Sequence, residues 1–243
     1  MTPPTPPSDF ALDTVSHPHT FQTTWKTHPD PHALPFPRSS PPFPLTPIDW
    51  HQLSLTDSQF TPHSWPNLTS LISANRLEEL KRWPSALKAY LAWTAHVKHK
   101  YGSATTYLLS QRLFWARLPA EDGEMVFETK GKVPLGNDED FAVLRNDWPY
   151  AFADGVRHIV VWSKQRLPVD AAGALSEEGK TLVEQFVRRV FREAAGEGRD
   201  GVEEGEKVLW FKNSTNLQSV RSLEHFHVLV RGVSEDVLRE WMV

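Results

Sequence analysis

Residues 156–163 read VRHIVVWS, and residues 208–231 read VLWFKNSTNLQSVRSLEHFHVLVR. The β-branched and aromatic residues in 158–163, 208–212 and 225–231 are those of strands packed in a sheet. Successive side chains of a strand point to opposite faces. His225, His227 and Leu229 therefore share one face of the last strand, and Phe226, Val228 and Val230 share the other. The second set is wholly apolar and is expected to face the core. The two imidazoles are then expected on the opposite face, available to solvent or to a ligand. The run 158–163 is almost continuously apolar, which fits a central strand.

Outward from these strands, Phe141–Arg145 reads as another strand, and NDWPYAFADG (146–155) as a turn-rich connection. Ser176 is placed to cap a helix with Leu182, Val183, Phe186, Val190 and Phe191 on its buried face. That helix should fray in the loop AAGEGRDGVEEGE (194–206), and Ser234 should cap a short terminal helix. Upstream, Leu77 and Leu80 suit a short helix ended by the Trp83-Pro84 step. Ser85 is expected to cap a second helix, striped with Leu87, Tyr90, Leu91, Thr94, Val97 and Tyr101 and stopped at Gly102. Ser103 opens a third, carrying Tyr107, Leu108 and Leu109 toward Arg112, and 125–129 reads as a short strand between glycine turns. The expected class is α+β.

Thirteen of the twenty prolines fall in the first 47 residues, so an extended arm over 1–48 is expected ahead of a single domain over 49–243. Phe10, Phe21, Trp25, Phe36, Phe43 and Trp50 are spaced along this part of the chain. Disordered tails are usually poor in such rings, so the arm should lie against the body from Phe21 onward. The chain has no cysteine, which excludes disulfides, thiolate metal sites and thiol nucleophiles and fits a reducing, cytoplasmic setting. No run approaches the roughly 18–20 apolar residues of a membrane span. Residues 76–117 hold eight Lys/Arg against two Asp/Glu in a chain whose net charge is −4. Such a basic block is the footprint of a polyanion contact, or else a solvated helix face.

Paired histidines on one strand face suit nucleophilic or acid–base work near neutral pH, and His158 on the neighbouring strand could join them. With no companion ligand motif, no metal is expected. The segment RNDWPYAFADGVRHIVVWSKQRLP (145–168) and the segment NSTNLQSVRSLEHFHVLVRG (213–232) resemble the paired strands of the histidine-triad superfamily across residues 140–232. That resemblance implies a histidine-triad-like antiparallel sheet, with His225 as the nucleophilic imidazole and Ser219 and Asn213 or Asn216 near phosphate. It departs at Leu223, where the first histidine of the triad would stand.

The string RLEELKRWPSALKAYLAWTAHVKHKYGSATTYLLSQRLFW (76–115), followed by NDWPYAF, HIVVWSK, WFKN and EHFHVLV, is similar to the fungal N-acetylglucosamine-induced protein family. Several members of that family are arginine-containing cyclodipeptide synthases, which join amino acids delivered on tRNA into a diketopiperazine. The resemblance implies arginyl-tRNA and a second aminoacyl-tRNA as partners and no cofactor, because the ester is already activated. His225 and His227 suit the general base, and Asn213 suits an oxyanion donor. Asp147, Asp154 and Glu224 are candidates to grip a guanidinium, with His158, Trp148 and Ser219 lining the substrate. Lys81, Arg82, Lys88, Lys98, Lys100 and Arg112 are candidates for tRNA phosphates. The alternatives are a histidine-triad-like nucleotide hydrolase or transferase acting through His225, and a binding protein on that scaffold.

Overall fold

The computed structural model describes residues 13–120, 124–171, 173–196, 206–214 and 217–242. Phe10, Asn216 and most of the loop after the long helix lie outside them. A four-stranded antiparallel sheet forms the centre, built from β3 (Phe141–Arg145), β4 (Val156–Ser163), β6 (Glu224–Arg231) and β5 (Val208–Phe211), in that spatial order. As the apolar run suggests, β4 is central. It pairs with β6 along eight residues, setting Trp162 opposite His225 and Val160 opposite His227. A two-stranded hairpin, β1 (Arg117–Leu118) with β2 (Val126–Phe127), stands apart.

The register divides the sheet into two faces. Val143, Ile159, Val161, Val208, Phe226, Val228 and Val230 pack against α6 (Glu177–Val187) and α7 (Glu235–Trp241). Ser176 and Ser234 cap these two helices through their side chains, as expected. The buried face of α6 uses Val183, Phe186 and Val187, and Phe191 continues it in the π turn Arg188–Arg192, while Leu182 and Val190 are only half-buried.

The other face lies under α3 (Trp65–Ser73), α4 (Pro84–Tyr101) and α5 (Ala104–Leu108). Pro84, expected to end a helix, instead begins α4 at its first position, where the missing N–H costs nothing. Leu77–Glu79 is only a single 3₁₀ turn, and Ser85 is not a cap: its N–H and hydroxyl donate to Asp57 at 2.9 and 2.6 Å. Gly102, at φ +77°, ends α4. Beyond α5 the chain passes into a π turn over Leu109–Leu113, which carries Arg112.

The arm is not extended throughout. Proline bars a helix interior but suits a helix start, and α1 (Pro18–Lys26) and α2 (Pro47–Ser54) both begin on one. Residues 19–26 contain no proline, so α1 runs uninterrupted and packs along α4. Phe21 and Trp25 reach the aromatic layer, and Phe36 and Trp50 join a smaller cluster with Leu87 and Leu91. Among the described residues, no helix is long and apolar enough to cross a membrane.

Candidate functional site

Alternation along β6 holds as read, but its consequence does not. His225 and His227 are 5% and 7% exposed, so neither is open to solvent. The imidazole face is roofed by aromatic side chains on both sides: Trp93, Tyr107, Trp148 and Trp162 toward α4 and α5, Trp65 and Phe211 toward α3. Between these two apolar clusters runs a seam of polar groups.

His225 Nδ1 lies 2.9 Å from the Leu223 carbonyl oxygen. A carbonyl only accepts, so Nδ1 carries the proton and Nε2 keeps its lone pair. That nitrogen has no partner among the described residues, and the ring lies 4.6 Å from Trp162. His227 is engaged at both nitrogens: Nδ1 is 3.0 Å from His158 Nε2, and Nε2 is 3.3 Å from Asn213 Nδ2. Phe211 stacks on it at 4.9 Å. Tyr150 stacks on His158 at 5.5 Å, and the Arg82 guanidinium sits between Tyr150 and Tyr90, 5.1 and 4.5 Å from their ring centres. Arg82 Nε donates to the Trp148 carbonyl at 3.2 Å.

Burial is the first cause that pushes all three histidines down from the ordinary imidazole value, since a low-dielectric surround penalises the cation. Arg82 adds repulsion at His158, which falls to about 3, and at His227, where the neighbouring imidazoles act with it. At His225 the Leu223 carbonyl and Glu224 partly oppose the shift. Neutral imidazoles are therefore the resting state at neutral pH. Among the described residues no group of three or more His, Asp or Glu side chains is arranged to hold a metal.

The remaining candidates scatter. Asp147 is half-buried and bridges Arg112 at 3.0 Å; burial raises its pKa, and Arg112 and His17 counter this. Glu224 adjoins His225 in sequence and therefore points to the opposite face of the sheet, where Lys212 holds it at 3.0 Å. It is not placed to line the imidazole site. Asp154 and Ser219 are exposed in turns, so neither joins the seam. Trp148 is buried in the aromatic layer against Trp93 and Tyr90.

The basic block also separates. Lys88 is 2% exposed, with its ammonium on the Pro31 carbonyl, and burial lowers its pKa against the pull of Asp30 and Asp57. It is not available to phosphate. Lys100 pairs with Asp13 at 2.5 Å, and Arg112 and Arg82 are held inward. Lys98 is exposed and Lys81 half-exposed. A contiguous helix segment has several faces, so charges adjacent in sequence part company in space. Asn146, Tyr150 and Phe211 complete the seam and were not singled out by sequence reasoning. Asn146 and Tyr150 lie inside the NDWPYAF motif, which was the available signal.

Residues 64–231 match a family described as "Protein of unknown function (DUF3605)". The chain belongs to this family. Every residue of the polar seam, from Arg82 to His227, lies within the matched span, whereas α1 and α2 precede it. N-acetylglucosamine-induced protein 1 of Candida albicans is 30% identical over 190 residues, covering 74% of this chain and 72% of that protein. An uncharacterized protein of Saccharomyces cerevisiae is 29% identical over 169 residues, covering 68% and 77% of the two chains. A solved structure described as "Crystal Structure of HTC1" has a TM-score of 0.54 at 28% identity, covering 73% of this chain and 91% of the other.

Proposed function

We propose that this member of the family is a cytoplasmic, tRNA-dependent cyclodipeptide synthase that joins arginine and a second amino acid. The supporting observation is the His225 imidazole, neutral by burial, with its Nδ1–H held on the Leu223 carbonyl and its Nε2 lone pair left without a partner among the described residues. An activated ester needs only such a base. Nε2 takes the proton from the α-amine as that amine attacks the ester carbonyl of a second aminoacyl-tRNA. The amide C–N bond forms, the ester C–O bond breaks, and the proton passes to the departing ribose oxygen. A second round of the same steps closes the ring. Of the three candidate carboxylates, Asp147 lies by the aromatic layer over the imidazole face, and its pairing with the Arg112 guanidinium at 3.0 Å supports it as a guanidinium-binding group that a substrate arginine would take over from Arg112. Lys98, exposed near the end of α4 and without a carboxylate partner among the described residues, is the member of the basic block that best supports a phosphate contact.

The test is to incubate the purified protein with arginyl-tRNA and a mixture of other aminoacyl-tRNAs, then search for diketopiperazines by mass spectrometry. An arginine-containing diketopiperazine that disappears on prior ribonuclease treatment is expected. Its absence from the purified reaction and from a heterologous host overturns the reading.

A further inference from the structure

A buried chain of hydrogen bonds runs from the backbone of Trp148 to the side chain of Asn213, and one end of it fixes its direction. The Trp148 N–H donates to Asn146 Oδ1 at 2.8 Å, so the Asn146 amide is oriented and its NH₂ must face His158. Asn146 Nδ2 stands 3.2 Å from both ring nitrogens of His158, whose Nε2 is 3.0 Å from His227 Nδ1. A neutral imidazole has one N–H and one lone pair. With the lone pair on Nδ1, His158 accepts from Asn146 and donates from Nε2 to His227, and every group is paired. With the proton on Nδ1, Nε2 can still accept from Asn146 and His227, but the buried Nδ1–H finds no acceptor among the described residues, which costs about 1–3 kcal/mol. The first arrangement wins.

His227 then accepts at Nδ1 and carries its proton on Nε2. That N–H needs an acceptor, and among the described residues the side chain it meets is the Asn213 amide, 3.3 Å away. The amide nitrogen cannot serve, so the oxygen must occupy this position. The two ends of an amide are nearly the same shape, and the hydrogen-bond network decides between them. A half-turn of the amide lets the same oxygen accept from the Tyr150 hydroxyl, at 3.5 Å. It also moves the NH₂ to the buried position where Oδ1 otherwise has no partner among the described residues.

We infer that Asn146 and His158 are positioning residues that set the direction of this chain, so that Asn213 presents its NH₂ as a free donor on the His225 face of the sheet. A lone-pair nitrogen and an N–H donor on one face form a site for an acyl group, the donor taking the carbonyl oxygen and His225 the proton of the attacking group. This chemical consequence rests on the acyl transfer proposed above; the direction of the chain does not. Negative charge grows on the carbonyl oxygen during attack, and losing one such donor typically costs about 10²–10³-fold in rate.

Nitrogen-15 NMR of histidine-labelled protein at pH 7 reads the tautomers without any turnover. The protein should show Nδ1–H for His225 and Nε2–H for His158 and His227. Asn146→Asp replaces the donor with an acceptor, which should draw the His158 proton to Nδ1 and move that of His227 to Nδ1 as well. A wild-type His227 carrying its proton on Nδ1 overturns the inference whatever the variant does, as does an unchanged His227 tautomer in a folded Asn146→Asp protein. Asn213→Asp keeps an acceptor for His227 but has no NH₂; it should keep the wild-type tautomers and lose at least about 10²-fold in diketopiperazine formation. Full activity in that variant removes the donor role. A wild-type protein with the expected tautomers but no product refutes the synthase reading and leaves the chain's direction standing.

Discussion

Along β6, Phe226, Val228 and Val230 look toward α6 and α7, whereas His225, His227 and Leu229 look toward α3, α4 and the 146–155 connection. All six are at most 7% exposed. Burial does not distinguish the two faces. On one, stability comes from area removed from water and close packing. On the other, each imidazole must find partners or cost free energy, and His158, His227, Asn146 and Asn213 supply them to one another. One nitrogen is left over, His225 Nε2. In a seam where the other ring nitrogens are engaged, this exception is the nitrogen that the proposed acyl transfer would use as its base.

Removing that exception should give the largest effect. His225→Ala is expected to stay folded and to lose about 10²–10⁴-fold in product formation, measured as diketopiperazine yield with melting temperature as the folding control. Wild-type yield from the folded variant would place His225 among structural residues. His227→Ala should lose less activity and more stability, because both its nitrogens are bonded within the fold. On the opposite face, Phe226→Ala should cost about 3–5 kcal/mol of stability in denaturant titrations, with activity per folded molecule retained. If it instead left stability intact and abolished activity, the contrast between the faces would fail.

Acid sharpens the same contrast. The buried histidines have folded pKa values below 6.5, so the unfolded chain binds more protons as pH falls below that value. Their contribution is fully present above about pH 6.5 and is lost as pH falls toward the folded value, about 3 for His158. The loss is about 1.4 kcal/mol per pH unit for each histidine kept neutral. The melting temperature should therefore drop between pH 7 and pH 5, and drop less in His158→Gln. Equal acid sensitivity of that variant and wild type would show that His158 does not titrate differently on unfolding. The smallest effect should come from the lysines of α4: Lys88→Met should change stability by no more than about 1 kcal/mol and leave tRNA affinity unchanged. Lys98→Ala should weaken tRNA binding and reduce its salt slope by about one. Filter binding over a range of salt separates the two, and equal weakening by both would restore Lys88 as a phosphate contact.

Most strands were legible because their signal is local. The apolar run 158–163 and the alternation of 225–231 are properties of neighbouring residues, and β4 and β6 appear within two residues of those bounds. The helix caps at Ser103, Ser176 and Ser234 were legible for the same reason. Pro18 and Pro84 misled because proline forbids a helix interior yet favours a helix start, and only the residues on its C-terminal side distinguish the two. The basic block misled because a run of charge says nothing about direction: Lys88 and Lys98 both lie on α4, and one is buried while the other is exposed.

The amino-acid sequence by itself determined the α+β class, the pairing of faces on β6, the aromatic wealth of the core and the placing of His225 and His227 on one strand face. Each comes from periodicity or composition over a few residues. Tertiary structure alone decided that the imidazole face is roofed, that Glu224 belongs to the far side, that Arg112 occupies Asp147, and that His227 is bonded at both ends while His225 is not. These depend on contacts between residues tens of positions apart, such as His158 with His227. The number of partners a polar atom finds once water is excluded is a property of the packed interior, where a single hydrogen bond decides which nitrogen keeps its lone pair.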